Sequence, residues 1–180
     1  MRKVEGIHED ATSAAVYSDC GAYRYRLWYL WEPGRPVLLA LMLNPSTATE
    51  SQTDPTVERC KRRAQRLGFG GLEVANLFAL RSTDPRQLYQ HPDPVGPDND
   101  RAILDAVTHA DAVMCGWGNH GQHLKRGWQV LQMLDDAGLV GKLAALGLTM
   151  EKHPKHPLYV SYSAQLVPLA QLFGHLLARG

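Results

Sequence analysis

The chain has 180 residues, 44% apolar and 21% charged, with a formal net charge of +1. That is enough for one domain with a sizeable core, and the near-neutral balance excludes a global field drawing the protein onto nucleic acid or membrane. No run approaches the ~18 apolar residues of a membrane span, and residues 1–5 lead into no apolar signal core.

Residues 1–15 are polar and are expected to form a loose N-terminal lead-in. Residues 23–31, YRYRLWYLW, have a partial period of two. Tyr23, Tyr25, Leu27 and Tyr29 would share one face of a strand, with Arg24 and Arg26 on the other. Glu32-Pro33-Gly34 closes this strand as a turn, and antiparallel pairing with residues 37–43 is expected. Residues 38–43 are apolar without a charge, the pattern of a strand covered on both faces. Pro45 cannot donate to a ladder, so Asn44 is delivered to the carboxyl end of that strand.

Asp54 and Pro55 read as an N-cap and first helical position, opening a helix that runs to Leu67 and stops at Gly68. Val57, Cys60, Ala64 and Leu67 form its buried stripe. A second short strand covers 72–77, and a long loop follows over 81–97. Residues 98–110 predict a helix with Ile103, Ala106 and Val107 inward. Residues 112–115 predict a strand that ends in Gly116-Trp117-Gly118-Asn119-His120. A helix over 122–136, a weak strand over 143–148 and a closing helix over 164–177 complete the chain. This alternation predicts a single α/β domain spanning 1–180. Its expected architecture is a three-layer α/β/α arrangement with a mostly parallel central sheet of about four strands, plus an N-terminal antiparallel strand or hairpin.

Cys20, Cys60 and Cys115 are far apart and form no CxxC pair. A structural zinc site or iron–sulfur cluster is therefore not expected, and a sparse, odd count fits a reducing compartment. His120 and His123 have a spacing that places both on one side of a helix, but no third ligand is evident. The expectation is a cytoplasmic monomer without metal or cofactor.

Four strand ends carry polar or turn-rich segments: Asn44-Pro45-Ser46, Asn76-Leu77, Gly116 to His120, and His153 to His156. In a parallel sheet such ends lie along one edge, where open α/β sheets bind ligands. The order of these segments resembles the uracil-DNA glycosylase superfamily. Met42-Leu43-Asn44-Pro45-Ser46 is similar to its GxNPG motif, with Met42 and Ser46 in place of the two glycines. Asn76 matches a strand-terminal asparagine that reads the flipped base. Val113 to Gly118 resembles an apolar strand ending in Trp-Gly. His156-Pro157-Leu158-Tyr159-Val160-Ser161 is similar to an HPSPLS-like loop with a catalytic histidine, and His153-Pro154 is a competing alignment. The chain also resembles an uncharacterised bacterial family of unknown function with an LNPS…DPT…NLFA…WG…HPLY pattern.

The superfamily resemblance implies a DNA base-excision glycosylase, cleaving the N-glycosidic bond of a deaminated or modified base flipped from DNA. Asn44 would orient water, and His156, with His153 as second choice, would donate to the base. Asn76 would read the base edge, beside Ser46, and Phe78 or Trp117 would stack on it. Leu158 or Tyr159 would wedge into the strand, since flipping costs a few kcal/mol. Arg59, Arg62, Arg63 and Arg66, with Lys152, Lys155 and Tyr159, would contact phosphates. A solvated helix face is the simpler account of the arginines. Two alternatives stand beside the glycosylase: a non-catalytic module binding single- or double-stranded nucleic acid or a nucleotide, and an enzyme on free nucleosides or nucleotides.

Overall fold

A computed structural model describes residues 1–9 and 11–177. Its strands are β1 (Arg2–His8), β2 (Ala11–Tyr17), β3 (Arg24–Leu30), β4 (Val37–Met42), β5 (Gly71–Asn76), β6 (Ala112–Cys115), β7 (Leu143–Ala145) and β8 (Val167–Pro168). The helices are α1 (Pro55–Arg66), α2 (Gln87–Gln90), α3 (Asn99–His109), α4 (Arg126–Asp136) and α5 (Leu169–Leu177). All eight strands form one sheet in the order β1-β2-β3-β5-β4-β6-β7-β8.

The α/β class stands, but the mostly parallel sheet of about four strands does not. The sheet is mixed, with four antiparallel neighbour pairs and three parallel ones. The parallel pairs join β5, β4, β6 and β7, with Leu38 opposite both Leu72 and Ala112. The antiparallel pairs come from β8 at one edge and from a β1-β2-β3 meander at the other.

That meander also replaces the expected loose lead-in over 1–15. Residues 11–15 are Ala, Thr, Ser, Ala and Ala, a composition that advertises no strand. Pairing with β3 decides their conformation, which is the context dependence of strand propensity. Nor does β3 pair with β4, because parallel partners occupy both of β4's edges. It pairs with β5 instead, Leu27 opposite Val74 and Leu30 opposite Gly71.

Helices cover both faces of the sheet. Leu38, Ala40 and Met42 pack with Val57, Cys60 and Ala64 of α1 on one face. Leu39 and Leu41 pack with Ile103 and Val107 of α3, Val130 and Leu134 of α4, and Leu169 of α5 on the other. The α1 signals are local: Asp54 Oδ1 accepts from Val57 N at 2.9 Å, and Gly68 closes the helix at φ +83°. Leu67 lies outside its stripe, 48% exposed.

Two helices start later than the periodicity predicts. Residues 119–125 form 3-10 turns, with Leu124 and Lys125 in the left-handed region, before α4 begins at Arg126. α5 begins at Leu169, after β8 has paired with β7. The weak strand over 143–148 ends at Ala145, and an isolated bridge between Leu148 and Pro154 closes the next turn.

Candidate functional site

The crossover from β4 to β5 runs through α1 on one face, and the crossover from β5 to β6 runs through α3 on the other. The connections thus diverge at the carboxyl end of β4, the point where open α/β sheets form a crevice. A cavity of about 790 Å³ lies there. Segments following all four parallel strands contribute to its wall: Asn44, Asn76, Trp117 and His156 all line it.

Asn44 leaves β4 just before Pro45. Its Nδ2 donates to the carbonyls of Ser82 at 2.8 Å and Pro45 at 3.0 Å. Both amide hydrogens are therefore used, and the side chain's remaining offer is the acceptor Oδ1. Asn76 ends β5 and is 1% exposed. Its Nδ2 is buried without a hydrogen-bond partner, an arrangement that costs about 1–3 kcal/mol unless a ligand or water satisfies it.

His156 precedes a 3-10 turn, Pro157–Tyr159, and its Nδ1 accepts from Leu158 N at 3.4 Å. In the neutral ring the hydrogen then sits on Nε2. Burial lowers its pKa below the ordinary 6.5, and the nearby Asp54 carboxylate opposes this more weakly. A neutral imidazole with an Nε2–H donor is the expected form at pH 7.

Trp117 is 2% exposed, and its indole fits only because Gly121 and Gly127 face it. A Cβ at Gly121 would stand 2.1 Å from Trp117 Cδ1. Ser46, Lys155, Leu158 and the exposed Tyr159 also line the cavity, the Tyr159 ring lying 5.7 Å from His156.

Other predicted residues lie elsewhere. Phe78 is fully buried in the core beneath α3 and α4, 5.6 Å from the His123 ring. His153 is 8% exposed and does not line the cavity; its backbone nitrogen donates to Thr149 Oγ1 at 3.2 Å. Lys152 is an exposed turn residue at φ +67°.

Two of the α1 arginines turn inward on the chain's own backbone. Arg59 donates to the carbonyls of Pro157 (3.0 Å) and Val160 (2.8 Å). Arg63, 2% exposed, donates to those of Val160, Ser161 and Ala164. Arg62 pairs with Glu58 at 2.6 Å, and Arg66 stacks on Tyr162 at 4.2 Å. These contacts hold residues 157–164 against α1, which holds the His156 turn at the cavity.

His120 and His123 also have protein partners. His120 Nδ1 is 3.0 Å from Tyr89 Oη, and His123 Nε2 is 3.1 Å from the Leu88 carbonyl. Among the described residues no group of three or more His, Cys, Asp or Glu is placed to hold a metal ion. No helix among them is long and apolar enough to cross a membrane.

Among the lining residues that sequence reasoning missed, two are charged. Asp54 read only as a helix cap, yet it is 8% exposed and lines the cavity while accepting from Ala48 N and Val57 N. Arg24 read as sharing one strand face with Arg26. A register irregularity at Val16/Tyr17, opposite the start of β3, breaks that alternation. Arg26 meets Glu73 and Asp105, whereas Arg24 is 2% exposed and lines the cavity.

The fold and site define an α/β protein in which polar residues from several strand ends, Asn44, Asn76 and His156 among them, converge on a cavity at the carboxyl ends of its parallel strands. Residues 24–158, three quarters of the chain, match the family described as "Protein of unknown function (DUF1643)", and the chain belongs to that family. No curated protein and no solved structure gives a significant match.

Proposed function

We propose that the cavity takes a nucleobase and that the chain hydrolyses N-glycosidic bonds, acting as a DNA base-excision glycosylase on a deaminated or modified base. The observation that supports this most is the meeting of Asn44, Asn76 and His156 on one cavity from three different strand ends. Its volume of about 790 Å³ falls within the ~300–1,000 Å³ of small-molecule sites.

Breaking the base–sugar bond leaves positive charge on the sugar and negative charge on the base. The bond's electron pair departs with the base. Asn44 Oδ1 accepts from a water and holds it toward the sugar carbon, which the water attacks as the bond opens. An amide is a poor base, so this role is orientation rather than proton abstraction; the attacking water loses its proton to solvent once bonded to the sugar, and the departed base anion takes one up from solvent. The Nε2–H of neutral His156 donates to the base oxygen where charge grows. Asn76 Nδ2 gains, from a carbonyl on the base edge, the partner it otherwise lacks. Trp117 supplies apolar wall, and Tyr159 stands exposed at the rim as a wedge.

A second reading, hydrolysis of free nucleosides or nucleotides, is favoured by the arginines of α1. Arg59 and Arg63 are bound to backbone carbonyls and Arg62 to Glu58, so this helix offers few free charges to a phosphate backbone.

The test is an excision panel. Single- and double-stranded oligonucleotides carrying uracil, hypoxanthine or xanthine are incubated with protein and treated with alkali, beside free nucleosides and nucleotides assayed for released base. Strand scission that falls on the order of 100-fold in Asn44→Ala is expected. Base release from free substrates alone selects the second reading. Binding without release from any substrate would leave a non-catalytic module.

A further inference from the structure

Arg24 sits in the cavity wall with no salt-bridge partner among the described residues. It is 2% exposed, and the Asp54 carboxylate acts on it only at longer range, partly opposing the effect of its burial. Its Nη1 donates to the Ala48 carbonyl, and its Nε is buried with no partner. Burial lowers its pKa to about 10, so it remains cationic at neutral pH. Asp54, the carboxylate among the lining residues, already accepts from two backbone amides.

A buried charge without a direct ion-pair contact is expensive, and an unused Nε–H adds to the cost. Folding alone explains one of Arg24's donors, the one that holds Ala48. Beside it, on the neighbouring strand β5, Asn76 lines the same cavity and also carries a buried, unpartnered Nδ2. The orphaned Trp117 Nε1 differs, since it faces Gly121 and Gly127. Asn119, beyond β6, carries an unpartnered acceptor, Oδ1, so three of the four orphaned groups among the lining residues are donors, and one of those belongs to a cation. Thr56 and Val57, in the first turn of α1, line the same wall and add the positive end of a helix dipole.

We propose that the cavity contains an anion subsite centred on Arg24 and that its ligand is a small molecule carrying a phosphate. That the ligand is a mononucleotide rests on the nucleobase reading above. The anion subsite itself does not. The depth of Arg24 selects the size of the ligand: a guanidinium 2% exposed is reached by a group entering the cavity, not by a phosphodiester on the surface of a duplex.

The experiment is calorimetric titration of the full chain with uridine, uridine 5′-monophosphate, inorganic phosphate and a short single-stranded oligonucleotide. The monophosphate should bind at least about tenfold more tightly than uridine, the scale of one charge-assisted contact. Inorganic phosphate should compete with it. Folded Arg24→Gln should bind the two equally. Equal binding by the unaltered protein, or a preference that survives in folded Arg24→Gln, would overturn the subsite, and binding of the oligonucleotide alone would overturn the small ligand.

Should Arg24→Gln fail to fold, the side-chain Nε–H resonance of Arg24 in the unaltered protein decides. It should shift on adding the monophosphate, or phosphate alone, and stay in place with uridine. No shift with either anion rejects the proposal. A shift with phosphate while neither uridine nor its monophosphate binds keeps the anion subsite and removes the nucleobase reading.

Discussion

Burial of His156 sets the pH at which its imidazole changes charge. Its folded pKa lies below 6.5, so between the folded and unfolded values the unfolded chain binds more protons. The stability contributed by the neutral ring is present above 6.5 and is lost as pH falls through that window. An NMR titration of the ring checks this, and a midpoint at or above 6.5 contradicts it. Asn44 is constrained in another way. Because its Nδ2 faces two carbonyls, Asn44→Asp would turn a carboxylate oxygen toward them. A loss of about 1–3 kcal/mol is expected from that mismatch, read by urea denaturation. An unchanged midpoint would mean that these bonds contribute nothing.

At the scale of elements, α1 and the segment 157–164 act as a unit. Arg63 spans three carbonyls, and Arg59 spans two on either side of the His156 turn. Arg63→Met removes the donors to the Val160, Ser161 and Ala164 carbonyls and leaves those of Arg59 in place. It should raise amide exchange over 157–164 and cost about 2–4 kcal/mol, with β4 and β5 protection falling only as far as global stability does. Increased exchange across the whole sheet without a local excess would refute the clasp. Trp117 and Gly121 form a comparable pair between the end of β6 and the turns before α4. Gly121→Ala would drive a Cβ to 2.1 Å from the indole, so a cost on the order of 1–3 kcal/mol is expected in the same denaturation experiment.

Across the whole molecule, one sheet carries both layers of helices. Cys60 belongs to the cluster under α1, and Cys115 belongs to the cluster on the opposite face. Both thiols are buried, which pushes the Cys60 pKa up to about 12 and that of Cys115 upward as well. Cys20 is exposed, and its hydrogen bond with Ser18 lowers its pKa. Alkylation should therefore label Cys20 in the native protein. Cys60 and Cys115 should become reactive together, at the urea midpoint, because the two faces share β4. Reactivity at separate urea concentrations would show that the layers unfold independently.

How much of this was legible depends on whether the cause is local. The cap, first-turn proline and terminal glycine of α1 act within a few residues, and so the sequence places that helix closely. The uncharged run of β4 needs cover on both faces, which identifies it as central. Asn44, Asn76 and the Trp117 and His156 segments follow from the same logic, each standing beyond a readable strand. Strand partners, in contrast, are chosen by competition among distant segments. That competition put β3 beside β5, drew an unremarkable run of alanine and serine into β2, and made half the sheet antiparallel. It also moved Arg24 across the sheet, because one register irregularity breaks the alternation that a period-two reading assumes. The positions of cap, core and strand-end residues were determined by the sequence itself through short-range sterics and hydrophobic pattern. Which of them meet, and that a buried cation joins them, was decided only by the tertiary structure, because pairing depends on contacts between residues remote along the chain.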